Sequence, residues 1–153
     1  MIATLPGAVR AGHLAAAFVQ RQSSLMCHRR SQLSNSMTPQ ELETLCKDWP
    51  GVASSIKWED DLVFTVAAKM FAVTGLRGPH SGRLSFKVDK DRFLELTDQP
   101  GMVPAPYMAR AFWVSIVEPE RFSRAEIEAF VRRSYELVRG GLSKRLQAKL
   151  GGG

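Results

Sequence analysis

The sequence predicts an α+β domain in which an antiparallel sheet of about five strands is packed by helices on one face, in the order α-β-β-β-β-α-β-α. Three observations predict it. Residues 55–74 alternate apolar and polar positions with period two, across connections so short that consecutive strands must be antiparallel neighbours. Two Ser/Thr-x-x-Glu boxes, Thr38 to Glu41 and Ser123 to Glu126, mark helix starts on either side of the strands. Ile127, Phe130, Val131, Ser134 and Val138 then recur at i, i+3, i+4, i+7 and i+11, the stripe of a helix packed on a core.

The first helix starts at Thr38-Pro39, with proline at the first helical position, and buries Leu42, Leu45, Cys46 and Trp49 before Trp49-Pro50-Gly51 stops it. The first strand places Ile56 and Trp58 inward and Lys57 outward, and turns at Glu59-Asp60-Asp61. The second alternates Leu62, Phe64 and Val66 with Val63 and Thr65. After Ala67-Ala68, the third is read with Lys69, Phe71 and Val73 outward and Met70 and Ala72 inward, because a lysine is costly in a core. Gly75 to Gly82 is a Gly/Pro loop, expected to be flexible, leading to a fourth strand with Leu84, Phe86 and Val88 inward and Arg83 and Lys87 outward. Asp89 opens a helix through Gln99 with Phe93, Leu94 and Leu96 as its apolar side. Residues 102–111 are Pro-rich and expected to be irregular, with one helical turn near Tyr107. Phe112 to Val117 is the fifth strand. The last long helix presents Glu128, Arg132 and Glu136 for i, i+4 pairs, stops at Gly140-Gly141, and is followed by a short amphipathic helix before a loose 151–153 tail.

A chain of 153 residues can bury one core, and its formal net charge of +6 is unevenly placed. Residues 1–36 hold Arg10, Arg21, Arg29 and Arg30 and no acid, which leaves 17 basic against 15 acidic residues in the rest. Overall charge therefore makes a weak case for nucleic acid, and only local clustering can make a strong one. The Ala-, Ser- and Arg-rich stretch 1–36 has the composition of an organelle transit peptide; it also fits a disordered or mis-assigned extension before Met37, which is the reading adopted, with the domain at 37–150. Cys27 and Cys46 form no ligand or redox motif, and a reducing, cytoplasmic setting fits them. No apolar run reaches the length of a membrane span.

Strand alternation gathers Lys57, Lys69, Arg83 and Lys87 on the outward face of the sheet with Phe71 exposed among them, and Trp113 joins them if Phe112, Val114 and Ile116 are buried. Cations and aromatics on an open sheet face can track a nucleic-acid backbone and stack on bases. Any sheet with one solvated face also alternates in this way, so a binding platform and plain solvent surface both remain open. The loop GLRGPHSGR adds Arg77, His80 and Arg83, a set suited to phosphate contact; it lacks the spacing of a nucleotide-binding P-loop. Tyr107 and Trp113 can line a small-ligand or protein-binding pocket beside the Pro-rich segment.

The stretches CKDWPGVASSIKWEDDLVFTVAAKMFAV, LSFKVDKDRFLELTDQPGMVPAPYMARAFWV and SRAEIEAFVRRSYELV occur in this order, and with them residues 38–150 resemble the MmcQ/YjbR family. The resemblance implies a double-wing, bacterial-frataxin-like fold and DNA binding. In this chain the wing tips would be the turn at 59–61 and the loop at 75–82, at one end of the sheet; the first tip is acidic, which argues against two equivalent wings on phosphate. A frataxin-like fold also raises iron, but the first helix offers only Glu41, Glu43 and Asp48 with Lys47 among them, too sparse for a carboxylate site, so no metal or cofactor is expected.

No catalytic constellation can be named. His80 has no Cys or carboxylate arranged beside it, Ser134 and Tyr135 read as helix–sheet packing, and Asp89 and Asp91 read as helix-start carboxylates. The expectation is a non-enzymatic DNA-binding protein that contacts phosphates with Lys57, Lys69, Arg77, Arg83 and Lys87 and stacks with Phe71. The alternative is a ligand- or protein-binding module at Tyr107 and Trp113.

Overall fold

The computed structural model describes residues 36–151. The reading of 1–36 lies outside these residues, apart from Ser36. Among the described residues, four helices, α1 (Pro39–Cys46), α2 (Phe93–Thr97), α3 (Arg124–Gly140) and α4 (Lys144–Gly151), accompany six strands. The strands are β1 (Val52–Lys57), β2 (Asp61–Val66), β3 (Lys69–Gly75), β4 (Leu84–Lys87), β5 (Met102–Pro104) and β6 (Trp113–Ile116). All pair antiparallel in the order β1-β2-β3-β4-β6-β5.

Both capping boxes form. The Glu41 amide donates to Thr38 Oγ1 at 3.2 Å while Glu41 Oε2 accepts from the Thr38 amide at 2.8 Å, and Ser123 and Glu126 repeat the exchange at 3.3 and 2.7 Å. The core lies between the sheet and the helices. Phe64, Phe71, Phe86, Val114 and Ile116 from the sheet meet Ile127, Val131 and Tyr135 of α3. Trp49 packs on Tyr135 at 5.1 Å between ring centroids, and the Arg132 guanidinium lies 4.8 Å over the Trp49 ring. Cys46 is fully buried there, and burial pushes its thiol up to about 12, so it is a core residue without thiolate reactivity.

Several sequence expectations are corrected. A β-bulge sets Phe71 between the pairs Phe64–Ala72 and Thr65–Met70, so Phe71 and Ala72 both face the helices while Met70 and Val73 face the other side. Phe71 is fully buried, 5.5 Å from Tyr135 and 6.2 Å from Trp49 between centroids, and has no exposed face. Lys69 pairs with Val66, a helix-side residue, and so leaves the open face. Ile56, paired with Leu62, is on the helix side but 63% exposed, lining an open cleft beside α1; Trp58 is 65% exposed because it belongs to the turn.

The expected helix over 89–99 is a three-ten turn at Lys90–Arg92 followed by the short α2, with Leu94 exposed. Glu128 pairs with Arg124 rather than Arg132. The Pro-rich segment supplies the additional edge strand β5, where Pro104 is tolerated because an edge position needs no second ladder partner.

Candidate functional site

The face of the sheet turned away from the helices is not bare. Val63, Val73 and Trp113 form a second small apolar cluster there with Ala105, and Met70 and Met108 pack against it. The chain beyond β5 folds over this face. The Ala105 amide donates to Trp113 O at 2.9 Å, the Met108 amide to Ala105 O at 3.2 Å, and a three-ten turn follows at Ala109–Ala111. Trp113 is thereby on the open side, as strand alternation allows, yet only 6% exposed. Beneath the strap, the Ser85 and Ser115 hydroxyls meet at 2.7 Å, so the buried polar pair is satisfied.

Between this strap and the end of the sheet lies a pocket of about 420 Å³. Its apolar wall includes Met70, Val73 and Met108; its aromatic residues are Trp58 and Tyr107; its charged residues are Asp61 and Arg83, with His80 beside them. Trp58 comes from the β1–β2 turn and Tyr107 from the strap. Both have left-handed backbones, φ 50° and 64°, which bulky side chains rarely adopt, and Tyr107 is fully exposed. Sequence reasoning named Tyr107 but missed Trp58, whose position beside a run of three acids signalled a turn rather than a strand end.

The two hairpin ends meet here, as expected. The Leu76 amide donates to Asp60 O at 2.7 Å, stitching the 75–82 loop to the β1–β2 turn. That loop is folded rather than a loose connection: Ser81 donates to Gly78 O, Gly82 to Gly75 O and Arg83 to His80 O, all near 3 Å. Gly75 is required at its base, since a Cβ there would collide with the His80 carbonyl.

The sequence-predicted cations consequently divide. Lys57 pairs across the hairpin with Asp61, Arg83 lines the pocket, and Arg77 projects from the stitched loop, so these three gather at one end of the sheet. Lys69 and Lys87 lie at the other end of β3 and β4, roughly 20 Å away along a seven-residue strand. Lys87 is also engaged: its Nζ donates to Ala111 O at 2.6 Å. None of Lys57, Arg77 and Arg83 forms an ion pair among the described residues, whereas Arg92, Arg121, Arg124, Arg132 and Arg133 each pair with a carboxylate. Among the described residues no three His, Cys, Asp or Glu side chains come together as a metal site, and no helix is long and apolar enough to cross a membrane.

Comparison with known proteins bears on this arrangement. The YjbR family model matches residues 47–137, which hold the whole sheet and most of α3. No curated protein matches the chain. The crystal structure of Deinococcus radiodurans protein DR2400, which carries the domain DUF419, is 25% identical with a TM-score of 0.67, over 77% of this chain and 91% of that one. A Pseudomonas syringae protein, 20% identical with a TM-score of 0.53, covers 66% of this chain and 98% of its own length and shares the fold. With the model match extending over more than half of its residues, the chain belongs to the YjbR family.

Proposed function

We propose that the protein is a non-catalytic, cytoplasmic DNA-binding protein that holds phosphates with Lys57, Arg77 and Arg83 at one end of the open sheet face. The observation that carries this reading is the convergence there of three cations without ion-pair partners among the described residues, on two hairpin ends tied together by the Leu76–Asp60 hydrogen bond. Glu59, Asp60 and Asp61 make the first hairpin end acidic, so the phosphate contact falls mainly to Arg77 and Arg83 of the second, and releasing DNA's condensed counterions supplies the affinity. Lys69, Phe71 and Lys87 take no part in it, being distant, buried and engaged respectively.

The test is fluorescence anisotropy of labelled DNA with the full chain at several salt concentrations. The tail arginines are common to every variant, so differences report on the domain. Arg77→Ala/Arg83→Ala should weaken binding and reduce the salt slope by about two, one for each phosphate that is no longer neutralised. Lys69→Ala/Lys87→Ala should leave both unchanged. A variant pattern with these effects exchanged, or a salt-independent affinity, would sink the proposal.

A second reading, a small-ligand- or protein-binding module, is favoured by the pocket itself, whose rim includes Tyr107 while Trp113 packs behind it. It predicts thermal stabilisation by a metabolite or partner and none by DNA.

A further inference from the structure

We infer that the open-face pocket is a site for a nucleobase, so that the protein takes its DNA as a single strand with one base inserted between the Trp58 and Tyr107 sides; this rests on the DNA-binding reading above. A protein that only tracks a duplex backbone needs exposed cations and no cavity. Here the cations surround a pocket of about 420 Å³, within the range of small-ligand sites. Bases of a duplex are stacked and cannot enter it, whereas an unpaired base can.

The chemistry of the pocket fits a nucleotide better than its simpler alternatives. Apolar and aromatic groups, Met70, Val73, Trp58 and Tyr107, present surfaces for the faces of a planar ring. Arg83 and the neighbouring His80 can meet the phosphate. Asp61 repels phosphate and accepts N–H donors, as the edge of a base provides. A purely apolar ligand would desolvate Asp61 and Arg83 and pair neither. A small inorganic anion would leave the apolar wall unused. Both aromatics are also exposed at the pocket while carrying left-handed backbones, a placement that burial does not explain and that contact with a ligand would.

The experiment compares the full chain with Trp58→Asn, Tyr107→Asn and Trp58→Phe. Asparagine tolerates positive φ and so removes the ring while keeping the turn. Three probes are used: a labelled single strand of about 12 nucleotides, within the range bound by one small domain, the corresponding duplex, and deoxycytidine monophosphate followed by tryptophan emission. The single strand should bind tighter than the duplex. Trp58→Asn should weaken single-strand binding by ~10- to 100-fold, leave duplex binding unchanged, and be rescued by Trp58→Phe. If both Asn variants bind the single strand like the parent, the base site is wrong, and the DNA reading stands or falls separately on Arg77→Ala/Arg83→Ala. If the mononucleotide changes tryptophan emission in the parent but not in Trp58→Asn, and neither DNA binds, the pocket is a nucleotide site and the DNA reading is overturned. Binding of none of the three overturns both.

Discussion

Trp58 sits at φ 50° with most of its ring in solvent, and Glu59 follows at φ 70°. Left-handed backbone costs an L-residue about 1 kcal/mol or more, which glycine avoids. Trp58→Gly should therefore raise the midpoint of thermal unfolding by ~3–6 °C, while removing the ring offered to a ligand. A fall in the midpoint would mean that Trp58 contributes packing its exposure does not suggest. The residue scale is also where sequence reasoning met its limit. Ala67-Ala68 forms a tight turn at φ 46° and 65° with none of the Asn or Gly that ordinarily signals one, and the bulge at Phe71 has no marker of its own. One inserted residue inverts the facing of its neighbours, so Lys69, Met70 and Phe71 were misplaced while Ala72 and Val73 were placed correctly. Phe71 is decided by packing against Trp49 and Tyr135, contacts that strand periodicity cannot express.

At the scale of elements, helix starts were the most legible feature, because a capping box is local chemistry written in four residues. The boxes are also joined: Arg124, first residue of α3, reaches Glu41 at 2.9 Å and Glu128 at 3.0 Å. Hydrogen bonds from Thr38 hold the Glu41 carboxyl below its ordinary range, Ser123 does the same for Glu126, and the two-pronged contact from Arg133 does so for Asp89. A carboxylate whose pKa is lower folded than unfolded stabilises the fold above its unfolded value and loses that contribution as pH falls through the folded one. Thermal stability should thus stay level from pH 7 to ~5 and decline below ~4, less steeply in Asp89→Asn. An unchanged slope in that variant would remove Asp89 from the account. Strand β5 was illegible because Pro104 argues against a strand, and only its edge position makes it acceptable.

At the scale of the molecule, charge is sorted. Arg124, Arg132 and Arg133 of α3 are matched by carboxylates, whereas Lys57, Arg77 and Arg83 stand without ion pairs among the described residues where two hairpin ends meet. That both ends share one end of the sheet follows from antiparallel connectivity alone and was legible. The pocket between them was not, since it needs residues 105–108 to fold back over β3 and β4, a long-range contact that no spacing encodes.

One hydroxyl links this face to the far side. Beyond the Ala72–Phe86 pair, β3 and β4 no longer exchange hydrogen bonds directly; the Lys87 amide donates to Ser134 Oγ at 2.9 Å, and Ser134 donates to Phe71 O at 2.5 Å. A side chain of α3 is thus a rung of the ladder, and α3 cannot lift away without opening the sheet. The Lys87 amide should accordingly exchange with solvent deuterium only through global unfolding, as slowly as the core of β2. Ser134→Ala strands both backbone groups at a cost of ~1–3 kcal/mol and should let Lys87 exchange by a local route. Persistently slow exchange in that variant would show that the strands can close on each other, and that helix and sheet are cooperative for some other reason.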